Sequence, residues 1–571
     1  MTQDRSLEIS KEQIKSLLRL QHYQDVLALL QQEASDAHQS EYSFDCLYEL
    51  GKALVLLGQY DEAQQACQEL IELRPTDHRG QLLRAFLLSR LGQPESARRL
   101  AGLNLEGPRK ADGLWLLGTI ALELSQLNEA EQHLLSSLEE DRSSDTCALD
   151  LAITYGYQGK RDQALHLLTD RILPKVLEGQ IGSSNLMRTG TAYLAIGQLD
   201  SALEHYSQAL AKDGGSASAY SNCGIIHHIQ GRLDEAIACQ MMAVLVDPMH
   251  ANSHLNLAMA SLLLGDYTTG FQEYEWRRTL RDDPVITVQV SIAEITSSDD
   301  LPGTVILSHE NGVGDCVQFM RYARLFHNLG SETILVCPPP LVGLAEHSGM
   351  FKEIHTHNNF ELADPVNCGW IPALSIPKVF GATPDTPLVQ EPYLQAQPDR
   401  VNYWTNNMRG DTTKQLIVGL HWQGNPDAER TTFRGRSLPL AAYEPLASLA
   451  GVTFVSLQKG HGSEQLEQSA FRDRFVDCQD EVSATWDFME TLAMIKACDV
   501  VISNDSGLAH LAGAVGHPVW LLLALVPEWR WGLEGETTAW YPSMRIHRQT
   551  TQGDWATVVQ SVRQKLVAMG G

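Results

Sequence analysis

The sequence predicts an N-terminal all-α repeat solenoid followed by an α/β region of two Rossmann-like lobes. Two observations carry this expectation. Small residues recur about every 34 positions through the first half, the mark of stacked helical pairs. From Leu301 onward, short β-branched runs alternate with helical patterns, as parallel sheets wrapped by helices require. The bulk composition agrees: 571 residues, 43% apolar and 20% charged, describe a globular chain of roughly three or four domains.

In the first half, the small residues Gly51, Ala85, Gly118, Ala152, Gly190, Gly224 and Ala258 stand at intervals of 34, 33, 34, 38, 34 and 34. Twelve positions after each comes Ala63, Ala97, Ala130, Ala164, Ala202, Ala236 or Gly270. These two sets mark where paired helices approach closely. Seven positions after each anchor lies Gly58, Gly92, Ser125, Gly159, Gly197, Gly231 or Gly265, where one helix stops and the chain reverses. Leu, Tyr and Phe at helical spacing fill the gaps between stacked pairs.

The pattern resembles the tetratricopeptide repeat family, with about seven units over residues 41–280 and a helical cap over residues 1–40. That resemblance implies a concave face suited to an extended peptide or another protein, or a surface for homo-oligomerisation. Residues 281–300 have no clear period and read as a junction. The α/β region then divides into an N-terminal lobe at 301–412 and a C-terminal lobe at 413–571, separated by a polar stretch near 390–415.

Ligands in open parallel sheets sit at the carboxyl ends of strands, so the loops that follow strands are the candidate site. The first is HENGVGD at 309–315. Gly312 and Gly314 begin like a dinucleotide fingerprint, but Val317 holds the third glycine position and no phosphate-loop lysine follows. NAD binding and ATP hydrolysis are disfavoured. Two roles stay open for Asp315: it caps its own helix, or it is a general base, with Glu310 and His309 just before it.

The second loop, at 419–440, holds Gly424 and Asn425 and then Arg430, Arg434 and Arg436. Arginine forks match phosphate oxygens and could neutralise a diphosphate without a metal, although each arginine taken singly suits a solvated surface. Lys459, in SLQKG, is a further cation. The third loop joins a buried strand ending at Asn504 to a helix beginning LAHLAG, through Asp505, Ser506 and Gly507. Backbone amides at such a helix start bind phosphate, and Gly507 permits close approach. His510, one turn in, could donate to phosphate or sugar, and Asp505 could hold a sugar hydroxyl.

With Asp505-Ser506-Gly507-Leu508-Ala509-His510-Leu511-Ala512 and Gly314-Asp315 in view, residues 301–571 resemble glycosyltransferases of the two-lobed B fold (GT-B), and within them the heptosyltransferase family. Together with the repeats, the chain is similar to bacterial repeat-containing glycosyltransferases, through NGVGDCVQFMRYA, WIPALSIPKVFG, LHWQGNP, RGRSLPL, SLQKG, EWRWG and WYPSMRIHRQ. The resemblance implies an inverting, metal-independent transfer from a nucleotide sugar, with Asp315 as base and Glu310 as the alternative. Asn425, Arg434, Arg436, Gln458, Lys459, Asp505, Ser506, Gly507 and His510 would hold the donor. Gly312, Gly314 and Gln318 would form the acceptor loop. Heptosyltransferases usually carry Thr where Ser506 stands, and the repeat-containing relatives often carry Gln where Asn311 stands; neither change removes the chemistry.

No metal or other cofactor is expected, since no DxD-like or zinc-spaced set is visible. The repeats point to a protein acceptor, flagellin being the one to test first. Two alternatives are a heptosyltransferase-like enzyme acting on a lipid-linked glycan and a non-catalytic nucleotide-sugar-binding scaffold. Trp529, Trp531, Trp540 and Tyr541, with Arg530, Arg545 and Arg548 beside them, read as a core element and not as part of the site.

A net charge of -27, from 43 basic and 70 acidic residues, repels phosphate backbones and anionic membrane surfaces, so no nucleic acid partner is expected. The ten cysteines form no CxxC pair and read as reduced core residues. The N-terminus lacks a signal-peptide apolar core, and the longest apolar stretch, Val519–Val526, is far short of a membrane span. A cytoplasmic location without membrane insertion is the expectation.

Overall fold

The computed structural model describes residues 47–571 apart from positions 49, 53, 56–59, 76, 104, 106–108, 281–291, 300, 311, 358, 359, 361, 363–365, 411–414, 430–434 and 571. The expected cap at 1–40 lies outside the described residues. The chain divides into two compact units, one of Met1–Ile226 with Leu245–Pro248 and one of His227–Val244 with Met249–Gly571.

Among the described residues of the first unit the regular elements are all helices, and the repeat logic is physical. In the pair Lys110–Glu123 and Leu127–Glu140, a Cβ on Gly118 would stand 2.6 Å from Leu134 Cγ, so only glycine lets these helices come so close. Gly190 stands likewise against the Tyr206 ring, at 2.7 Å. Ala85, Ala97, Ala130, Ala152, Ala164 and Ala202 are fully buried. Every described turn residue of the series is left-handed: Gly92, Gly159, Gly197, Gly231 and Gly265 have φ between 72° and 86°, and Ser125, which replaces glycine, has φ 59°. The long interval of 38 has a visible cause: Arg161–Leu167 runs through a π-helical segment, Leu168–Ile172, into Leu173–Leu177, absorbing the extra residues within a helix. A groove of about 300 Å³ in this unit is lined by Tyr48, Phe86, Trp115, Lys52, Arg109 and Arg188 among others.

The second unit begins with the last repeat helices, including Ala251–Leu263 and Tyr267–Tyr274, and continues into two five-stranded, all-parallel sheets. The N-terminal lobe has strands β1 (Ala293–Glu294), β2 (Thr304–Ser308), β3 (Glu332–Val336), β4 (Glu353–His355) and β5 (Cys368–Pro372), ordered β1-β5-β2-β3-β4. The C-terminal lobe has β6 (Leu416–His421), β7 (Val452–Ser456), β8 (Val500–Asn504), β9 (Val519–Leu523) and β10 (Met544–Arg548), ordered β10-β9-β8-β6-β7. This is the two-lobed α/β architecture the sequence predicts. β8 and β9 are buried along their whole length, because helices cover both faces of a parallel sheet and its strands become continuous apolar runs.

Two local features differ from the sequence reading. The junction at 281–300 contains β1, which pairs in parallel with β5 through Ala293↔Gly369 and Glu294↔Trp370; two residues are too few to show a period. The polar stretch near 390–415 contains the helix Pro398–Arg409, which buries Trp404 and passes its Nε1–H to Glu490 at 2.7 Å.

The last repeat is joined to the N-terminal lobe by a buried ion pair. Arg277 donates from Nη2 to Glu310 Oε2 at 2.9 Å and from Nε to Oε1 at 3.2 Å, and also from Nη2 to Ser375 Oγ at 2.9 Å. No helix among the described residues is long and apolar enough to cross a membrane. The nine described cysteines form no disulfide, and six of them are buried.

Candidate active site

In each lobe the strand order reverses beside the first long central strand. In the N-terminal lobe β3 and β5 flank β2, and in the C-terminal lobe β7 and β8 flank β6. Such switch points open a crevice at the strand ends. The first expected loop leaves β2 and the third leaves β8, so topology alone places both at these points.

The two loops meet. Gly314 stands at the start of the helix Val313–Phe319 and Gly507 at the start of the helix Gly507–Ala514. A Cβ on Gly314 would lie 3.2 Å from Gly507 Cα and 3.0 Å from His510 Cδ2. Glycine at 314 is what allows the approach.

Gly312, not Asp315, is the N-cap residue of the helix Val313–Phe319; Asp315 lies inside the helix at its third position, bonds back to the Gly312 N–H, and faces the opposite lobe as well. Its Oδ2 accepts the Gly312 N–H at 3.2 Å, and its Oδ1 accepts from Arg530 Nη2 at 2.6 Å. Each carboxylate oxygen retains a second lone pair for a proton or a hydroxyl. Arg530 also donates from Nη1 to Glu528 Oε1 at 2.5 Å, and its backbone N–H donates to Glu528 Oε2 at 2.9 Å. Burial, opposed by Arg530 and reinforced by Asp505 and Asp315, pushes the Glu528 carboxyl up to about 7.

On the other side, His510 Nδ1 lies 3.0 Å from the Tyr541 hydroxyl, and its ring stacks on Trp531 at 5.3 Å. Burial, with Arg530 and Arg321 nearby, holds this imidazole well below the usual histidine range, so it is neutral at pH 7. Burial likewise raises the Asp505 carboxyl, while Arg436 lowers it. Ser506 Oγ lies 3.1 Å from Ser503 Oγ and 3.3 Å from His421 Nδ1. His421 in turn meets Asn504 Oδ1 at 2.9 Å across the β6–β8 switch point, and burial lowers its ring to about 4. Gly424 lies against Arg436: a Cβ there would stand 2.6 Å from Nη2, so a larger residue would displace the end of that side chain.

Asp315, Gly312, Gly314, Asp505, Ser506, Gly507 and His510 therefore gather in one region, with Arg436 acting on Asp505. Other expected residues are placed differently. Glu310 is buried with both oxygens on Arg277, and Oε2 also accepts the Leu374 N–H at 3.0 Å; it ties the last repeat to the lobe, and its side chain is 7% exposed against 21% for Asp315. The Gln458 amide is committed to backbone: its Oε1 accepts from Trp422 and Gln423, and its Nε2 donates to Gln423 and His461 carbonyls. It shapes the loop after β6. Lys459 Nζ donates to the Val482 carbonyl, and burial lowers it to about 8. Gln318 is completely buried on the core side of its helix, while its own carbonyl accepts from Arg321 Nε at 2.8 Å. Asn425 is exposed, and Arg434 lies outside the described residues.

The sequence reading left Arg530 in a core element and did not single out Glu528. The four aromatics around them are indeed buried, but the WRW tripeptide places a fully charged guanidinium between two core indoles, facing Asp315. An arginine flanked by buried aromatics, with a glutamate two positions earlier, is a signal that could have found it. Among the described residues no group of three or more His, Cys, Asp or Glu could hold a metal ion.

Comparison with known proteins finds relatives for parts of both halves. Residues 44–77 and 190–231 match tetratricopeptide repeat models, and residues 450–555 match the model of glycosyltransferase family 9 (heptosyltransferase). The chain thus carries tetratricopeptide repeats and a family 9 glycosyltransferase domain. The latter match includes Asp505–His510 and Glu528–Tyr541 and excludes Asp315. Protein FlbA of Caulobacter vibrioides is 25% identical over 411 residues, which cover 66% of this chain and 66% of FlbA. Protein O-mannosyl-transferase TMTC1 of Homo sapiens is 24% identical over 212 residues, covering 37% of this chain and 20% of TMTC1. The chain spans just under two thirds of the first relative's length and a fifth of the second's. Among solved structures, the E. coli ADP-heptose LPS heptosyltransferase II is 14% identical with a TM-score of 0.33, covering 47% of this chain and 98% of that one.

Proposed function

We propose that the chain is an inverting, metal-independent glycosyltransferase that moves a sugar from a nucleotide-sugar donor to a hydroxyl of a protein acceptor recruited by the repeats. The observation that carries this reading is the meeting of Gly314-Asp315 with Asp505–His510 at the switch points of two parallel sheets. The family 9 match over the second of these loops supports it.

In this reading the acceptor oxygen attacks the anomeric carbon, its proton passes to Asp315, and the bond from that carbon to the donor phosphate oxygen breaks with its electron pair leaving on the phosphate. The amides at the start of Gly507–Ala514 and the neutral imidazole of His510 face the leaving charge. Arg436 supplies a cation beside Asp505. Asp505 itself holds a sugar hydroxyl.

A protein acceptor is supported by the groove in the repeat unit, which mixes aromatic and apolar side chains with charges of both signs, and by the description of TMTC1 as a protein O-mannosyl-transferase. Flagellin is the acceptor to test first. The heptosyltransferase description of the family model favours a second reading, a lipid-linked glycan acceptor.

The test is thermal denaturation against UDP, GDP, ADP, CMP and dTDP, since a ligand that binds only the folded state raises the midpoint. One nucleotide is expected to raise it, and His510→Ala to abolish the shift. No shift with any nucleotide would sink the donor site. Label from the matching nucleotide sugar is then followed into flagellin and into a lipid-linked glycan, which separates the two acceptors.

A further inference from the structure

Of the eleven tryptophans, Trp486 alone is largely exposed, at 70%. It lies in the turn between the helices Gln479–Ala484 and Phe488–Ala497. Asp487 caps the second helix by accepting the N–H groups of Met489 at 2.7 Å and Glu490 at 3.0 Å. An apolar residue just before such a cap often packs on the fourth residue of the helix. Here that residue is Thr491, whose hydroxyl donates to the Asp487 carbonyl at 2.8 Å, so the indole does not serve as a staple.

The far edge of the Trp486 ring instead reaches Gly460, 3.6 Å from where a Cβ on that glycine would stand. Gly460 belongs to the loop after β7, at the same end of the sheet as Asp505–His510. Contacts along this rim are continuous. His421 at the end of β6 meets Asn504 at the end of β8, at 2.9 Å. Trp422 and Gln423, which follow it, donate their N–H groups to Gln458 Oε1 of the β7 loop at 3.1 and 3.0 Å. Gln458 Nε2 then donates to the His461 carbonyl, beside Gly460, at 2.7 Å.

β8, β6 and β7 are successive strands of the sheet, so the ends of β8 and β7 stand roughly 10 Å apart, two strand spacings. A nucleoside diphosphate reaches about as far from its terminal phosphate to its base. Towards β9 the rim is closed, because Trp531 from the loop after that strand stacks on His510 at 5.3 Å. A nucleotide whose phosphate faces the start of the helix Gly507–Ala514 therefore extends towards Trp486.

We propose that Trp486 is the platform on which the base of the nucleotide-sugar donor stacks. The proposal rests on the reading above that residues 505–510 hold the donor phosphate. Every nucleobase has a flat π-face, and stacking on an aromatic side chain holds it without choosing among bases. The turn that carries the indole is fixed at both ends: Asp487 is held by its cap bonds, and Lys459 Nζ ties the β7 loop to the preceding helix through the Val482 carbonyl. Little ordering is then needed when a base arrives.

The experiment titrates the full chain with whichever of UDP, GDP, ADP, CMP and dTDP raises its thermal midpoint, and with inorganic pyrophosphate, which offers phosphates and no base. W486A is expected to bind the nucleotide about tenfold more weakly than the wild type and pyrophosphate equally well. Its midpoint without ligand should not move, because the ring is exposed. W486F, which keeps a π-face, should recover most of the lost affinity. Unchanged nucleotide affinity in W486A overturns the proposal. An equal loss for nucleotide and pyrophosphate also overturns it, since the effect would then lie at the phosphate end or in the fold. A wild-type chain that binds pyrophosphate and no nucleotide removes the base platform and leaves the phosphate site, whereas one that binds neither removes the donor reading itself.

Discussion

Gly314 and Gly507 face one another where the central strands of the two lobes end, so closely that a Cβ on the first would stand 3.2 Å from the Cα of the second. The neighbouring atom is backbone, which cannot swing aside. Gly314→Val is therefore expected to force the loops apart, costing about 1–3 kcal/mol as overpacking does, and to lower donor turnover more than nucleotide affinity. Chemical denaturation and turnover measured on the same preparation check this; a variant as stable and active as the wild type would remove the close approach from the argument.

Asp315→Ala is expected to reduce transfer by about a hundredfold or more, the usual contribution of a positioned general base. The nucleotide-induced rise in thermal midpoint should persist, because Asp315 lies on the lobe opposite the phosphate-facing helix start. Loss of both together would reassign Asp315 to holding the fold through its bonds to Gly312 and Arg530.

The Arg277–Glu310 pair predicts a non-additive result. Both side chains are almost fully buried, at 6% and 7% exposure. Arg277→Met or Glu310→Gln alone leaves a buried partner uncompensated, and is expected to cost about 3–5 kcal/mol. The double variant should cost clearly less than the sum, as a denaturation cycle over the four proteins will show.

Burial lowers the rings of His228, His421, His517 and His547 to about 4 each. The unfolded chain therefore binds more protons than the folded one between about 6.5 and 4, and stability present above pH 6.5 is lost as the pH falls through that window. Glu528 opposes this trend: its folded value of about 7 stabilises the acid side and is lost as pH rises towards 7. The histidines outnumber it, so the thermal midpoint should fall from pH 6.5 to pH 4.5. His517→Asn should flatten the fall; an unchanged slope would mean that His517 does not titrate on unfolding.

Ser125 occupies a left-handed turn position, φ 59°, that is glycine in the other described repeats. L-residues other than glycine pay for that backbone conformation. Ser125→Gly is expected to stabilise the chain by about 0.5–1 kcal/mol, read as a higher denaturation midpoint, whereas Gly159→Ala should lower it.

Much of this molecule was legible in the sequence because its constraints are local. A turn that needs positive φ requires glycine, two helices in contact require small residues, and a strand covered on both faces must be apolar along its length; each leaves a residue at a countable spacing. For the same reason the loops 309–315 and 505–510 could be found, since strand-end loops at a switch point follow from the order of elements.

What the tertiary structure decided is which polar groups meet. Glu310 and Asp315 are five positions apart and look alike in sequence, yet one is closed by Arg277, which comes from the last repeat, and the other faces Arg530, 215 residues away. Gln458 and Lys459 sit in a motif that suggests a donor site, but their polar atoms are taken by backbone groups at Gln423, His461 and Val482. Charge pairing of this kind depends on distances across the fold, and residue spacing along the chain carries no record of them.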